Sequence, residues 1–404
     1  NGRSGKDTWR CKECHGWDYK GVDGAYGSGS HKTGFTGVFQ LSGDANAALA
    51  ALKGETNPDH DFSSVMDEQA LTDLALFIGS ELYDDAEIVN YDDKSAIGGD
   101  AANGEALFGD NCADCHGPQG LAINFHDEAE PEYAPTIARD NPWEFLNKAR
   151  FGQPGEEDMP VGLDIGFTNQ DLADILAYLQ TVPATSPVAE GGRLYDNWMK
   201  AIGADAPATE MPLWATQDSN TRSGADTWRC KECHGWDYKG ADGVYSSGSH
   251  MTGFPGIFDA SAMSAEEIIS WLDGTANADH DFSSYLNEDQ FNMFVAFIQE
   301  GMIDKGDYIN ADKTVSGDAG HGQELYESVC STCHGDDGTE IDFHEGTDEP
   351  PEYVGSVAAD NPWEFHNKAS FGQPGEHMPS GLNLGWSLQD ILDVTSHAQS
   401  LPGE

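Results

Sequence analysis

All eight cysteines of the 404-residue chain fall in four Cys-x-x-Cys-His pentads: Cys11, Cys14 and His15; Cys112, Cys115 and His116; Cys230, Cys233 and His234; Cys330, Cys333 and His334. Two thiols three positions apart can add across the two vinyl groups of one haem, and the adjoining histidine then lies beneath the iron as its first axial ligand. Zinc and redox dithiol chemistry do not call for a histidine after every second cysteine, and no cysteine is left over for a structural disulfide. The pattern predicts four covalent haem c groups held by the eight cysteines, with His15, His116, His234 and His334 as iron ligands.

Composition bounds the rest. With 38% hydrophobic residues and 47 glycines the apolar supply is thin for one large core, so several small domains are expected, each nucleated by a flat apolar haem. Acidic residues outnumber basic ones 71 to 20, for a net charge of −51, which makes nucleic acid and anionic membrane surfaces poor partners. The acidic coat fits a secreted protein from a saline habitat, or the steering of a basic redox partner. Apolar runs such as Leu74 to Ile78 and Phe294 to Ile298 are far too short to span a bilayer. No signal peptide opens the sequence. Haem attachment to such pentads takes place outside the cytoplasm in bacteria, so a periplasmic or extracellular protein with its leader removed is expected.

The segment Arg3 to Gly21 (RSGKDTWRCKECHGWDYKG) returns 219 residues later as Arg222 to Gly240 (RSGADTWRCKECHGWDYKG). Asp59 to Ser63 likewise returns as Asp279 to Ser283, Asn141 to Phe145 as Asn361 to Phe365, and Phe151 to Gly155 as Phe371 to Gly375. The chain reads as a duplicated two-haem unit. Helical apolar spacing marks the end of each expected module, at Leu71 to Leu82, Leu172 to Leu179, Phe291 to Ile298 and Leu388 to Ala398. Three modules also open with such a segment, at Gly104 to Asn111, Gly192 to Ala201 and Gly322 to Val329. No sustained alternation argues for a sheet. The predicted class is all-α with long irregular loops, in four modules: 1–90, 91–187, 188–310 and 311–404.

An opening helix, a pentad, a loop and a closing helix make each module resemble a class I c-type cytochrome, so the whole resembles a tetrahaem c-type cytochrome built from a duplicated dihaem unit. Module 1 departs from the pattern, because no opening helix precedes its pentad. Either a segment is absent there or another chain supplies the packing. The resemblance implies a distal iron ligand some forty residues after each pentad. Met159 stands 43 residues after His116 and Met378 stands 44 after His334, each followed by proline. A methionine is the usual sixth ligand in that family and raises reduction potential relative to a second histidine.

Modules 1 and 3 instead offer His60, 45 residues after His15, and His280, 46 after His234, which implies bis-histidine ligation. Two rivals remain: Met66, whose repeat counterpart is Leu286, and the pair His31 and His250, each sixteen residues past a proximal histidine. His126 and His344 recur as well and read as outer or surface groups, whereas His321, His366, His377 and His397 have no histidine counterpart in the first half. Trp9, Trp17 and Tyr19, with Trp228, Trp236 and Tyr238, are expected to wall the haems. Arg10, Lys12, Lys20, Arg229, Lys231 and Lys239 stand near the same haems as propionate partners or solvated charges.

Iron held by six strong ligands has no open position for a substrate, so the expected function is one-electron relay between redox partners, with no enzymatic activity. Two other functions fit parts of the sequence. A haem enzyme would need one vacant or weakly ligated iron, and a subunit of an extracellular conducting filament would explain the uncovered first module.

Overall fold

The computed structural model describes residues 4–126, 131–155 and 159–403. The chain divides into two compact units: Asn1–Asp110 with Ala134–Val182, and Asn111–Tyr133 with Pro183–Glu404. Residues Asn111–Tyr133, which carry the second pentad, group with the second unit.

The helices, in chain order, are α1 (Cys11–His15), α2 (Ala45–Leu52), α3 (Glu68–Ser80), α4 (Ala101–Asn111), α5 (Ala113–His116), α6 (Ala134–Asp140), α7 (Pro142–Phe151), α8 (Asn169–Thr181), α9 (Pro187–Ala201), α10 (Cys230–His234), α11 (Ala265–Leu272), α12 (Glu288–Ala296), α13 (Ala319–Leu325), α14 (Ser331–His334), α15 (Val354–Asp360), α16 (Pro362–Phe371) and α17 (Leu388–Ala398). Among the described residues only isolated bridges, such as that between Gly21 and Thr36, stand in for a sheet. The fold is all-α and class I cytochrome c-like, as expected.

Local chemistry sets the closing helices. Thr168 and Asp171 form a capping box on α8, Asn287 and Gln290 one on α12, and Ser387 and Asp390 one on α17, while Asp67 caps α3 by accepting from the Ala70 amide at 2.9 Å. Each cap satisfies amides that the first helical turn leaves without partners and contributes about 1 kcal/mol. The opening helices cross the closing ones through glycine. A Cβ added at Gly104 of α4 would overlap the Asp174 carbonyl of α8, one at Gly191 of α9 the Met293 carbonyl of α12, and one at Gly322 of α13 the Asp393 carbonyl of α17. The two backbones approach closely enough that only hydrogen fits between them.

At two of these crossings a polar latch adds to the packing. Asn103 donates to Asp174 at 2.7 Å, and His321, its counterpart, contacts Asp393 at 2.9 Å. Helices α2 and α11 escape the sequence expectation, as do the pairs α6–α7 and α15–α16. In α2 the run Ala-Asn-Ala-Ala-Leu-Ala-Ala-Leu carries too few large apolar residues to show a period, yet Leu52 and Ala48 bury against Leu71, Ala75 and Ile78 of α3.

Candidate haem sites

The pentads of modules 1 and 3 form short helices, α1 and α10, each ended by a glycine in the left-handed region, Gly16 at φ 78° and Gly235 at φ 79°. Three residues further on, Tyr19 and Tyr238 adopt φ of 60° and 65°, rare for an aromatic residue. Both tyrosines are buried. The Tyr19 hydroxyl accepts from Asn147 Nδ2 at 2.6 Å, and the Tyr238 hydroxyl donates to Asn367 Oδ1 at 2.9 Å. The same turn is pinned by Asp18 and Asp237, whose carboxylates accept from the amides of Ala25 at 2.7 Å and Val244 at 2.8 Å.

The structure brings His60 to face His15, with ring centroids 6.1 Å apart and planes at 77°, and His280 to face His234, at 6.2 Å and 61°. A metal–nitrogen distance of ~2.0 Å on each side, plus roughly 1.1 Å from nitrogen to ring centre, predicts ~6.2 Å for two imidazoles sharing one iron. Every one of the four rings has its Nδ1 on a backbone carbonyl: His15 on Thr36 at 2.8 Å, His60 on Ala51 at 3.1 Å, His234 on Pro255 at 2.7 Å and His280 on Trp271 at 2.8 Å. A carbonyl can only accept, so Nδ1 carries the proton and Nε2 keeps the lone pair a metal needs.

Burial favours the neutral form of three of these rings. It lowers the pKa of His15, of His280, and of His234 to about 4. The donor set therefore fits a bis-histidine iron. The apolar wall includes Phe62, 4.8 Å from the His60 ring, and Phe282, 5.1 Å from the His280 ring.

The rivals lie elsewhere. Met66 packs against the α2–α3 core. His31 stacks on Tyr26 at 4.9 Å, with Nδ1 3.9 Å from Glu13 Oε2, and His250 stacks on Tyr245 at 4.8 Å, with Nδ1 3.8 Å from Glu232 Oε2. These glutamates sit inside the pentads and are buried. Lys12 pairs with Glu13 at 2.8 Å, while Lys231 at 2.6 Å and Arg222 at 3.0 Å pair with Glu232. Burial pushes the Glu232 pKa up, but the neighbouring charges of Lys231 and Arg222 and the nearby His250 ring outweigh it and depress Glu232 to about 2. Lys20 and Lys239 pair with Asp84 at 2.6 Å and Asp304 at 2.5 Å.

In modules 2 and 4 the pentads enter as α5 and α14. The His116 ring lies 6.0 Å from Phe125, and the His334 ring 5.9 Å from Phe343. Burial lowers the pKa of both histidines. Met159 and Met378 are half-buried and follow the glycines that end α7 and α16 at φ 77° and 86°. His116 belongs to the second unit and Met159 to the first, whereas His334 and Met378 share the second. Arg193 of α9 anchors the Met378 loop, donating to the carbonyls of Phe371 at 2.8 Å and Met378 at 3.3 Å.

Of the remaining histidines, His344 reaches the Pro350 carbonyl at 2.6 Å, His366 is buried beside Ser370 at 3.3 Å, and His397 lies 5.3 Å from Tyr326. His377 and His126 are exposed.

Sequence reasoning missed the buried charges. Arg150 pairs with Asp85 at 3.0 Å in the first unit, and Lys305 in the second donates to the carbonyls of Trp236 at 2.8 Å and Trp363 at 3.0 Å. Their only signal was position in the repeat, where Asp85 and Lys305 share one place and Arg150 and Ser370 another.

Residues 101–183 match the family described as Cytochrome c, and residues 317–393 match Cytochrome C oxidase, cbb3-type, subunit III. No curated protein matches the chain. Among solved structures it is similar to reduced recombinant cytochrome c4 from Pseudomonas stutzeri, at 19% identity over 50% of this chain and 98% of that one, with a TM-score of 0.16. It is also similar to the thiosulfate dehydrogenase TsdBA from Marichromatium purpuratum in its as-isolated form, at 16% identity over 96% of this chain and 86% of that one, with a TM-score of 0.22. Scores so low carry nothing about activity. The family matches and the repeated pentads together support a multihaem c-type cytochrome serving haem-based electron transfer. No described helix is long and apolar enough to cross a membrane.

Proposed function

We propose that the chain is a tetrahaem electron carrier working outside the cytoplasm, with bis-histidine iron at pentads one and three (His15 with His60, His234 with His280) and histidine–methionine iron at pentads two and four (His116 with Met159, His334 with Met378). The observation that carries this reading is the pair of facing imidazoles at 6.1 and 6.2 Å, each with Nδ1 committed to a carbonyl. When bound, haem c supplies a reversible one-electron iron couple. His15 with His60 and His234 with His280 would hold two haem irons, in tautomers fixed by the backbone carbonyls, at lower potential than the two held by His116 with Met159 and His334 with Met378. With the irons so held, no substrate would reach the metal, and the protein would act as a carrier and not as an enzyme.

Packing within each unit supports exchange of electrons between neighbouring modules. Tyr19 of module 1 meets Asn147 of module 2 at 2.6 Å, and Tyr238 of module 3 meets Asn367 of module 4 at 2.9 Å. Within the second unit, the loop after the second pentad meets the loop after Met378, where Asn383 donates to the Leu121 carbonyl at 3.0 Å. The net charge of −51 favours a basic redox partner, whose encounter would slow as salt rises.

A potentiometric titration of the holoprotein with low-temperature electron paramagnetic resonance tests the ligand sets. Two bis-histidine low-spin ferric signals that reduce at lower potential than two histidine–methionine signals are expected. Fewer than four thioether-bound haems by mass, a high-spin ferric signal, or rapid carbon monoxide binding by the reduced protein overturns the proposal.

A further inference from the structure

Three lysines packed around the third pentad have carboxylate partners, and a fourth has none at bonding distance among the described residues. Lys231 pairs with Glu232 at 2.6 Å, Lys239 with Asp304 at 2.5 Å, and Lys368 with Asp196. Lys305 opens a single helical turn, Lys305–Asp307, and is fully buried. Its Nζ donates to the carbonyls of Trp236, two residues after His234, at 2.8 Å and of Trp363 in α16 at 3.0 Å, and stands 4.6 Å from the Tyr238 ring centroid. Two carbonyls accept from an ammonium and from a neutral amine alike, so the site holds Lys305 in either form.

The charged and titratable groups that face Lys305 are otherwise engaged. Asp237, after α10, accepts from the Val244 amide at 2.8 Å; Glu364, on α16, accepts from Asn361 Nδ2 at 2.9 Å; Asp304, beside it in the chain, is taken by Lys239. His366, also on α16, is buried, and its Nε2 has no hydrogen-bond partner among the described residues. Burial, reinforced by the Lys305 charge, lowers the His366 pKa well below the ordinary histidine value, so this ring stays neutral. At the corresponding places the first unit has Asp85 and Leu146, and Asp85 is paired with Arg150 at 3.0 Å. The repeat therefore keeps a closed ion pair in one unit and a lone buried amine in the other.

We propose that Lys305 is a proton-coupling residue of the third pentad: it takes up a proton from water when that site gains an electron and gives it back when the electron leaves. The inference rests on the reading of His234 and His280 as the ligands of an electron-transfer iron. The balance is one electron from the reduced donor protein and up to one proton from solvent, the neutral amine becoming an ammonium with no other bond made or broken. A positive charge in poorly polarisable surroundings favours an added electron nearby, and the electron in turn favours the ammonium. Burial lowers the Lys305 pKa to about 7, against the pull of Asp237 and Glu364, so the amine is divided between its two forms near neutral pH. By linkage, the potential of the site falls as pH rises through that range.

The test has two readouts on the holoprotein: protons taken up on full reduction near pH 7.5, followed with an indicator dye in weak buffer, and the potentials of the two bis-histidine irons between pH 5.5 and 9. Uptake by the parent should exceed that of Lys305→Met, and one of the two lower potentials should fall with pH more steeply in the parent than in the variant. The limiting slope is about 59 mV per pH unit, the tenfold dependence of a one-proton, one-electron couple. Lys305→Arg keeps the charge at every pH and should hold that potential high and flat. No uptake by the parent near pH 7.5 overturns the proposal, as do uptake and slopes in Lys305→Met equal to the parent's, which would assign the protons to the haem propionates. Four thioether-bound haems by mass and low-spin ferric spectra of the same parent sample establish the ligand reading beforehand, so a flat profile in that sample counts against Lys305 alone.

Discussion

Trp9 and Trp228 occupy one place in the repeat, in the identical context Asp-Thr-Trp-Arg-Cys-Lys-Glu-Cys-His, and meet opposite fates: the first is 60% exposed and the second 5%. The pentad and its following turn fold alike in both units, because Asp18 and Asp237, Tyr19 and Tyr238, and the paired histidines are fixed by the same contacts in each. What differs is the layer outside. The site's chemistry is thus local, while its shielding from water is supplied by a separate element, and the two can be altered independently.

The sharpest way to break that comparison is truncation of the two indoles. Trp228→Ala removes a buried ring packed at 5.6 Å on Phe282 and 5.2 Å on Tyr285, and should cost about 3–5 kcal/mol in guanidinium unfolding. Trp9→Ala, in the same sequence context, should cost within about 0.5 kcal/mol. Equal costs would show that the first unit's face is covered in solution.

A second comparison concerns the charges buried at the repeat place of Asp85 and Lys305. In the first unit Arg150 and Asp85 neutralise each other at 3.0 Å, both nearly inaccessible, and Arg150 also lies 4.2 Å from the Tyr83 ring centroid. Arg150→Met strands the carboxylate and should destabilise by about 3–5 kcal/mol, largely recovered by adding Asp85→Leu. In the second unit Lys305 has no carboxylate at bonding distance among the described residues. It sits on two carbonyls and 4.6 Å from the Tyr238 ring centroid, with Asp237 and Glu364 the nearest charges to favour it and His366 facing it.

Burial drives the Lys305 pKa down to about 7. The unfolded chain then binds more protons between pH 7 and the ordinary lysine range, so this residue makes stability rise with pH across that window. Lys305→Met should stabilise the protein below pH 7 by a few kcal/mol, on the order of 1.4 kcal/mol for each tenfold by which burial favours the neutral amine, and remove the rise. A Lys305→Met protein with the parent's pH profile would contradict the assignment.

The helical class was more legible in the sequence than the packing. The pentads and closing helices were legible because haem attachment calls for fixed residue types at fixed spacing, and because each closing helix has a strong cap and large apolar residues on one face. The facing of His15 by His60 and of His234 by His280 was suggested only by the resemblance to class I cytochromes, and the carbonyls of Thr36, Ala51, Pro255 and Trp271 that select the tautomer could not be read at all, since a backbone acceptor leaves no residue signature. Helix α2 was hidden by its small apolar residues, and α11, Ala265–Leu272, is too short to set a clear period. Nothing in the sequence marks Glu13 and Glu232 as buried, since a carboxylate is ordinarily left in water and only the fold encloses these two.

The smallest effect isolates a single substitution between two otherwise equivalent helix crossings. Asn103 at the α4–α8 crossing donates to Asp174, and His321 at the α13–α17 crossing lies 2.9 Å from Asp393 and 3.7 Å from Asp390. The hydrogen bond to Asp393 raises the His321 pKa most, and the charges of Asp390, Asp393 and Glu324 raise it further. A histidine whose folded pKa exceeds its unfolded one contributes stability that is complete below the unfolded value and is lost as pH rises through the folded value. The α13–α17 crossing should therefore loosen slightly above pH 6.5, whereas the amide of Asn103, which does not titrate, holds α4–α8 unchanged across the same range. His321→Asn should abolish that dependence, read as the difference in Tm between the two proteins at pH 5.5 and pH 8, and Asn103→His should introduce it into the first unit. Because His321 is open to solvent, the difference should shrink with added salt. A Tm difference that persists in high salt would assign the effect to packing instead.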